Sequence, residues 1–191
     1  MKKTKTLVAV MPDSRLSAVV KLAAIAFFAS AMAFGALVRI PLPFTPVPIT
    51  LQTYFALLAG LTLGSTAGVA SICLYLVLGT AGMPLFTGSA SGPVALFGPT
   101  GGYLLGFVTA AFITGFASSP TVSHPLRLAC LASATVVILL MGTVVLSLYT
   151  GTPLITSFRL GALPFIPGDI IKMAAALGTW HTGRVIQSRL S

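Results

Sequence analysis

Long apolar stretches separated by short polar, glycine-rich or proline-rich connections set the pattern of this chain. Six stretches read as helical spans: residues 17–38, 51–63, 66–78, 100–117, 126–149 and 163–185. Each lacks the strict alternation of a half-buried strand and is too long for a fully buried one. The second and third would reach only about 20 Å as helices, against about 30 Å of hydrocarbon. Their shortness predicts that the connection after Pro41, or the one after Gly79, dips into the protein. Non-helical backbone at that depth is tolerated only where protein or a cavity covers it.

Composition turns this pattern into a class. Of 191 residues, 56% are hydrophobic and 7% charged, where a soluble domain carries about 25% charged residues. The expected fold is an all-α integral membrane protein of about six transmembrane helices, one domain over residues 1–191. A short basic segment, 1–15, precedes the first span. The opening "MKKTKTLVAV" and the later "SAMA" resemble a signal peptide with its cleavage site. The apolar run continues to about Leu37, however, and further spans follow, so an uncleaved first helix is expected.

The net charge of +9 does not describe a nucleic-acid face, because the basic residues lie near the ends of spans. With six spans and a cytoplasmic N-terminus, Lys2, Lys3, Lys5, Arg15, Lys21, Arg127, Arg184 and Arg189 fall inside. Arg39 and Arg159 fall outside, and Lys172 lies within a span. That bias predicts two cytoplasmic termini. It also places three unusual stretches on the outer side: "RIPLPFTPVPITLQ", "GTAGMPLFTGSASGPVALFGPTGG" and the start of the last span. Their convergence predicts an outward-opening ligand site.

The chain has two acids, Asp13 and Asp169. Asp169 and Lys172, three apart, share a helix face inside the last span. They read as a structural ion pair, as a polar anchor for a ligand, or as part of a proton relay. Intramembrane ionisable residues are functional candidates by default. A relay has only His181 as a further candidate member in a span. In "SGPVALFGPTGGYLLGF", Gly101 and Gly102 permit close backbone approach, either for packing or for a ligand at a helix start. Tyr103 would present a ring and a hydroxyl donor. The four prolines of "PLPFTPVPITLQ" forbid helix; the segment is a stiff linker or a lid, with Phe44 as a covering ring and Gln52 as a two-way amide. Ala29 and Ala33, four apart in the first span, permit close helix approach, within the chain or with a partner.

The negatives narrow the class. No HExxH, G-x-S-x-G or ATP-binding signature occurs, and no second carboxylate is on hand for acid–base chemistry. No catalytic residue, metal site or cofactor is expected, and neither an enzyme nor a self-sufficient ATP pump. Cys73 and Cys130 lie far apart in apolar runs and read as packing residues.

The strings "IPLPFTPVPITLQTYFALLAG", "GTAGMPLFTG", "FGPTGGYLLGF" and "FIPGDIIK" resemble the BioY family over roughly residues 22–180. This family is the biotin-specific S component of energy-coupling-factor transporters. The resemblance implies a six-helix fold with an external biotin pocket closed by the connection between spans one and two. It places Asp169 and Lys172 on the family's PGD-x-x-K motif, Gln52 on its glutamine, and Gly101, Gly102 and Tyr103 on its Gly-Gly-Tyr. Phe44, Phe86, Phe97 and Tyr103 would line the apolar part. The implied partners are biotin, a transmembrane coupling subunit docked at Ala29 and Ala33, and two ATPases in a bacterial-type cytoplasmic membrane. Delivery would occur by toppling of the whole subunit. Two places depart from the pattern: Leu104 stands where some relatives have a basic residue, and Ser89-Ala90-Ser91 where some have a side-chain amide. A solitary facilitator or ion-coupled transporter, a transporter of a biotin-related compound, and a structural membrane protein are the competing readings.

Overall fold

The structure is a computed structural model and describes residues 14–190. Basic residues Lys2, Lys3 and Lys5, together with Asp13, lie outside the described residues. Helix α1 (Ser14–Leu37) leads into a two-residue strand β1 (Arg39–Ile40), which pairs antiparallel with β2 (Ile49–Thr50). Then come α2 (Gln52–Thr80), a single turn α3 (Val94–Phe97), α4 (Gly101–Gly115) and α5 (His124–Thr150). A short α6 (Leu154–Gly161), a 3-10 turn (Leu163–Phe165) and α7 (Ile166–Leu190) complete the chain.

Helix α2 is two helices. At Gly64 the backbone leaves the helical region (φ 78°, ψ 173°), a conformation open essentially to glycine. The chain folds back there. The Gln52 amide nitrogen lies 2.8 Å from the Tyr75 hydroxyl, whereas 23 residues of straight helix span about 34 Å. A Cβ added at Gly68 would sit 3.0 Å from the Gly60 Cα. The arms 52–63 and 65–80 are therefore antiparallel and match the second and third predicted spans.

The other crossings alternate in the same way. The Leu51 N–H donates to the Gly35 carbonyl (3.1 Å), joining the end of α1 to the start of α2. Gly102 and Gly106 of α4 face Met141 and Ile138 of α5. Arg127 near the start of α5 stacks 3.9 Å over the Trp180 ring, far along α7. Six antiparallel crossings put residues 14 and 190 at one face of the bundle. Residues 17–37, 52–80, 124–150 and 154–189 are long and apolar enough to cross a membrane, and 101–115 is a shorter apolar helix.

Small residues allow this packing. A Cβ on Gly60 would strike the Ala111 carbonyl, and one on Gly115 would strike Ser65. Backbone-to-backbone approach of this kind compensates for the weak drive to bury apolar surface within lipid. Met32, Leu57, Leu61, Ile72, Tyr75 and Leu131 are fully buried. Phe27, Phe34, Val77, Leu148 and Ile171 are exposed around the outside, as a lipid-facing surface requires.

Two predicted boundaries shift. Residues 163–165 form a tight 3-10 turn, and α7 itself begins at Ile166 and continues to Leu190. Helix α6 falls in a stretch read as connection. Its eight residues bury only Ser157 and Gly161. The loop after Gly79 does enter the bundle: Phe86 is 2% exposed and packs against Gly79 and Tyr75.

Candidate functional site

The site lies at the end of the bundle opposite the described termini. Its centre is the pair predicted from sequence. The Lys172 ammonium donates to the Asp169 carboxylate at 2.9 Å, and their side chains are 11% and 4% exposed. One turn of α7 creates this contact. Ile166 and Pro167 open the helix, where a missing N–H is no loss, and Asp169 falls in its first turn, where the helix dipole favours a negative group.

The arms of α2 supply the amide wall. Gln52, 2% exposed, donates to the Tyr75 hydroxyl (2.8 Å). Its carbonyl oxygen accepts from the Thr50 and Thr87 hydroxyls, both at 3.3 Å. The fold-back at Gly64 brings Gln52 and Tyr75 level, while the β1–β2 pair fixes Thr50 beside them. The Tyr75 hydroxyl is also within 3.3 Å of the Leu85 carbonyl, which ties the glycine-rich loop to the same network.

Between these walls is a narrow cavity, most of its space lying at the open mouth. Gln52, Phe86, Tyr103, Asp169 and Lys172 all line it. The apolar lining adds Leu104, Phe107, Ile138, Leu139 and Phe165. Hydroxyls from Thr50, Thr53, Thr87 and Thr100 complete the polar part. A carboxylate acceptor, an ammonium donor, an amide and several hydroxyls thus converge on an otherwise greasy slot. This is the usual make-up of a small-molecule site.

Other sequence-predicted residues sit elsewhere. Phe44 is 54% exposed and does not line the cavity; the proline-rich segment turns Thr45 and Val47 inward instead. Contrary to expectation, the segment is not extended there: residues 43 and 44 form a turn, with the Thr45 N–H directed at the Leu42 carbonyl, and Phe44 stands on its outer side. Phe97, on α3, is 78% exposed and points away. Gly101 and Gly102 are packing glycines here: a Cβ would strike the Leu96 carbonyl at the first and the Met141 carbonyl at the second. The Tyr103 ring lines the cavity, but its hydroxyl already donates to the Gly161 carbonyl (2.5 Å), so it holds α6 in place. Ser89 and Ser91 are exposed and do not line the cavity. Ala29 is 4% exposed and Ala33 packs against the core, so this small-residue pair faces the inside of the chain.

Sequence reasoning missed the threonines and Phe107, which carry no motif. It also read Arg127 only as a topology signal. Arg127 is 1% exposed and donates to the Ala117 carbonyl (3.1 Å) and the Ser119 carbonyl (2.8 Å) while lying over Trp180. It staples the α4–α5 turn at the opposite end from the cavity.

Comparison with known proteins bears on the family and the fold. The BioY family model matches residues 4–188. A probable biotin transporter BioY of Pyrococcus horikoshii is 39% identical over 153 residues, covering 80% of this chain and 89% of that one. The biotin transporter BioY of Thermotoga maritima is 35% identical over 149 residues, covering 78% and 86%. Among solved structures, the S-component for biotin from an ECF-type ABC transporter superposes with a TM-score of 0.81. The two chains are 30% identical, with 90% of this chain and 94% of that one covered. Six crossings, one polar slot and a match over nearly the full length lead to one assignment: the chain is a multi-pass membrane protein that belongs to the BioY family.

Proposed function

We propose that this chain is the biotin-binding subunit of a biotin uptake system, an S component that works with a coupling module. The observation that carries the reading is the buried Asp169–Lys172 pair lining a cavity at the end of the bundle away from both described termini. Family membership and the likeness to a biotin S-component support the ligand. The chemistry of biotin fits the slot. Its ureido ring has two N–H donors and one carbonyl; its thioether ring is apolar; its tail ends in a carboxylate. Asp169, held by Lys172 and the Thr53 hydroxyl, has a further lone pair to accept from a ureido N–H. Lys172 has donors to spare beyond Asp169 and gives one to the ureido carbonyl. Phe86, Leu104, Phe107 and the Tyr103 ring enclose the thioether ring. An analogue lacking the ureido N–H groups leaves one acceptor position of the Asp169 carboxylate without its donor and binds more weakly.

An outward-facing cavity is supported by the bias of basic residues: Lys21, Arg127, Arg184 and Arg189 lie toward the opposite end. In this reading energy comes from partner subunits, a transmembrane coupling protein and two ATPases. The test is binding of labelled biotin to the purified protein in detergent, wild type against Asp169→Asn and Lys172→Met. Wild-type binding that is lost in both folded variants supports the assignment. A wild type that binds no biotin removes the ligand from the reading and leaves the fold.

A further inference from the structure

The cavity holds one cation, Lys172, and Asp169 already neutralises it. A ligand with a carboxylate tail therefore meets no free positive charge inside the slot. A second cavity of about 770 Å³, its open mouth included, adjoins the first on the outer side. The two share Pro48, Phe86, Thr87 and Thr100. The outer one is lined by Arg39. The other outer cation, Arg159, sits on α6 and lines neither cavity.

Several observations set Arg39 apart. It runs against the charge bias that explains the cations at the other end, so topology does not account for it. Its backbone is held by β-pairing to Thr50, a residue of the inner cavity wall. Its guanidinium lies over the glycine-rich loop, with Nη1 2.8 Å from where a Cβ of Gly88 would stand. Gly88 has φ +79°, so both the backbone and the close approach call for glycine. Among the described residues the only acid is Asp169, which is taken by Lys172. The guanidinium of this exposed residue thus lies over the loop at the mouth of the slot, without a described counter-ion.

We infer that Arg39 receives the tail carboxylate of the ligand at the cavity mouth. It would make the charge-assisted, forked contact to which guanidinium is suited. Leu104, 3% exposed in the inner wall, leaves that wall apolar. The tail then runs outward past Phe86 and Thr87 to Arg39. This inference rests on the biotin reading above.

The test compares two ligands on three proteins: biotin and its uncharged primary amide, on wild type, Arg39→Gln and Arg39→Lys. Loss of a charge-assisted contact in a partly exposed site raises the Kd for biotin about tenfold in Arg39→Gln. The amide is expected to bind that variant as it binds wild type. Arg39→Lys keeps the charge without the fork and falls between. Gly88→Ala, which displaces the guanidinium, is expected to reproduce the selective loss. Equal weakening of both ligands in Arg39→Gln would overturn the inference and make Arg39 a shaping residue of the mouth, and so would no weakening of either. A wild type that binds neither ligand refutes the biotin reading and this inference together. A wild type that binds biotin, with Arg39→Gln unchanged, refutes this inference alone.

Discussion

At the scale of single residues, Asp169 and Lys172 have two possible duties, and substitution separates them. Removing one member of a buried pair strands the other charge, a loss of about 3–5 kcal/mol. Single variants therefore mix a stability effect with a binding effect. The double variant Asp169→Asn/Lys172→Met removes both charges at once and relieves the stranded one. Its melting temperature is expected to recover toward wild type while biotin binding stays lost. Recovery of both, measured by thermal unfolding and ligand binding side by side, would make the pair merely structural. Residue-scale chemistry was also what the sequence displayed best. An acid and a base three apart in a greasy run announce themselves, as does a glutamine after a proline-rich stretch. Phe44 and Phe97 misled because aromatic identity says nothing about which side of a loop turn or a single helical turn faces in. Thr50, Thr53, Thr87 and Thr100 were invisible for the converse reason: their hydroxyls matter only once the fold has gathered them.

At the scale of elements, Gly64 decides whether residues 52–80 form one helix or two. Its φ and ψ are strained for any side chain, by about 1–3 kcal/mol. Gly64→Ala is expected to lower the melting temperature and weaken biotin binding together, because Gln52 and Tyr75 meet only through the fold-back. Gly178, exposed in mid-α7 with open space at its Cβ position, is the control. Alanine there gains helix propensity of up to about 1 kcal/mol and is expected to leave binding alone. Thermal unfolding of both variants checks the contrast. The two spans either side of Gly64 were legible as short apolar runs, although nothing in their periodicity showed a turn without a loop. Helix α6 was hidden by its length. Eight residues with two buried positions leave too little pattern to distinguish a surface helix from a connection.

At the scale of the whole molecule, the proposed function makes transport activity depend on partner subunits, and that dependence can be tested. Uptake of labelled biotin by cells carrying the full system is expected to collapse when a partner ATPase is inactivated, while binding to this subunit persists. Uptake that survives, and that an uncoupler abolishes, would instead mark an ion-coupled carrier. The crossing number, and with it the meeting of both described ends at one face, could be read from hydropathy, because the membrane imposes the length and greasiness of each span from outside. The direction in which Ala29 and Ala33 face could not, since a small-residue pair looks alike whether it meets a helix of its own chain or of another. The short arms of α2 have a last consequence, and it concerns the lipid. Arms of 12 and 16 residues and the 15 residues of α4 reach about 18, 24 and 22 Å, while α5, with 27 residues, reaches about 40 Å. The first arm is mostly buried, but the second exposes Cys73 and Val77 and α4 exposes Leu105 and Phe112, so the flank these two present to lipid is shorter than that of α5. A bilayer of about 30 Å must pinch on that flank, at fractions of a kcal/mol per Å of mismatch. The protein carries a built-in dent in the surrounding bilayer, and its thermal stability is expected to rise in vesicles of shorter-chain lipids, where the dent is shallower.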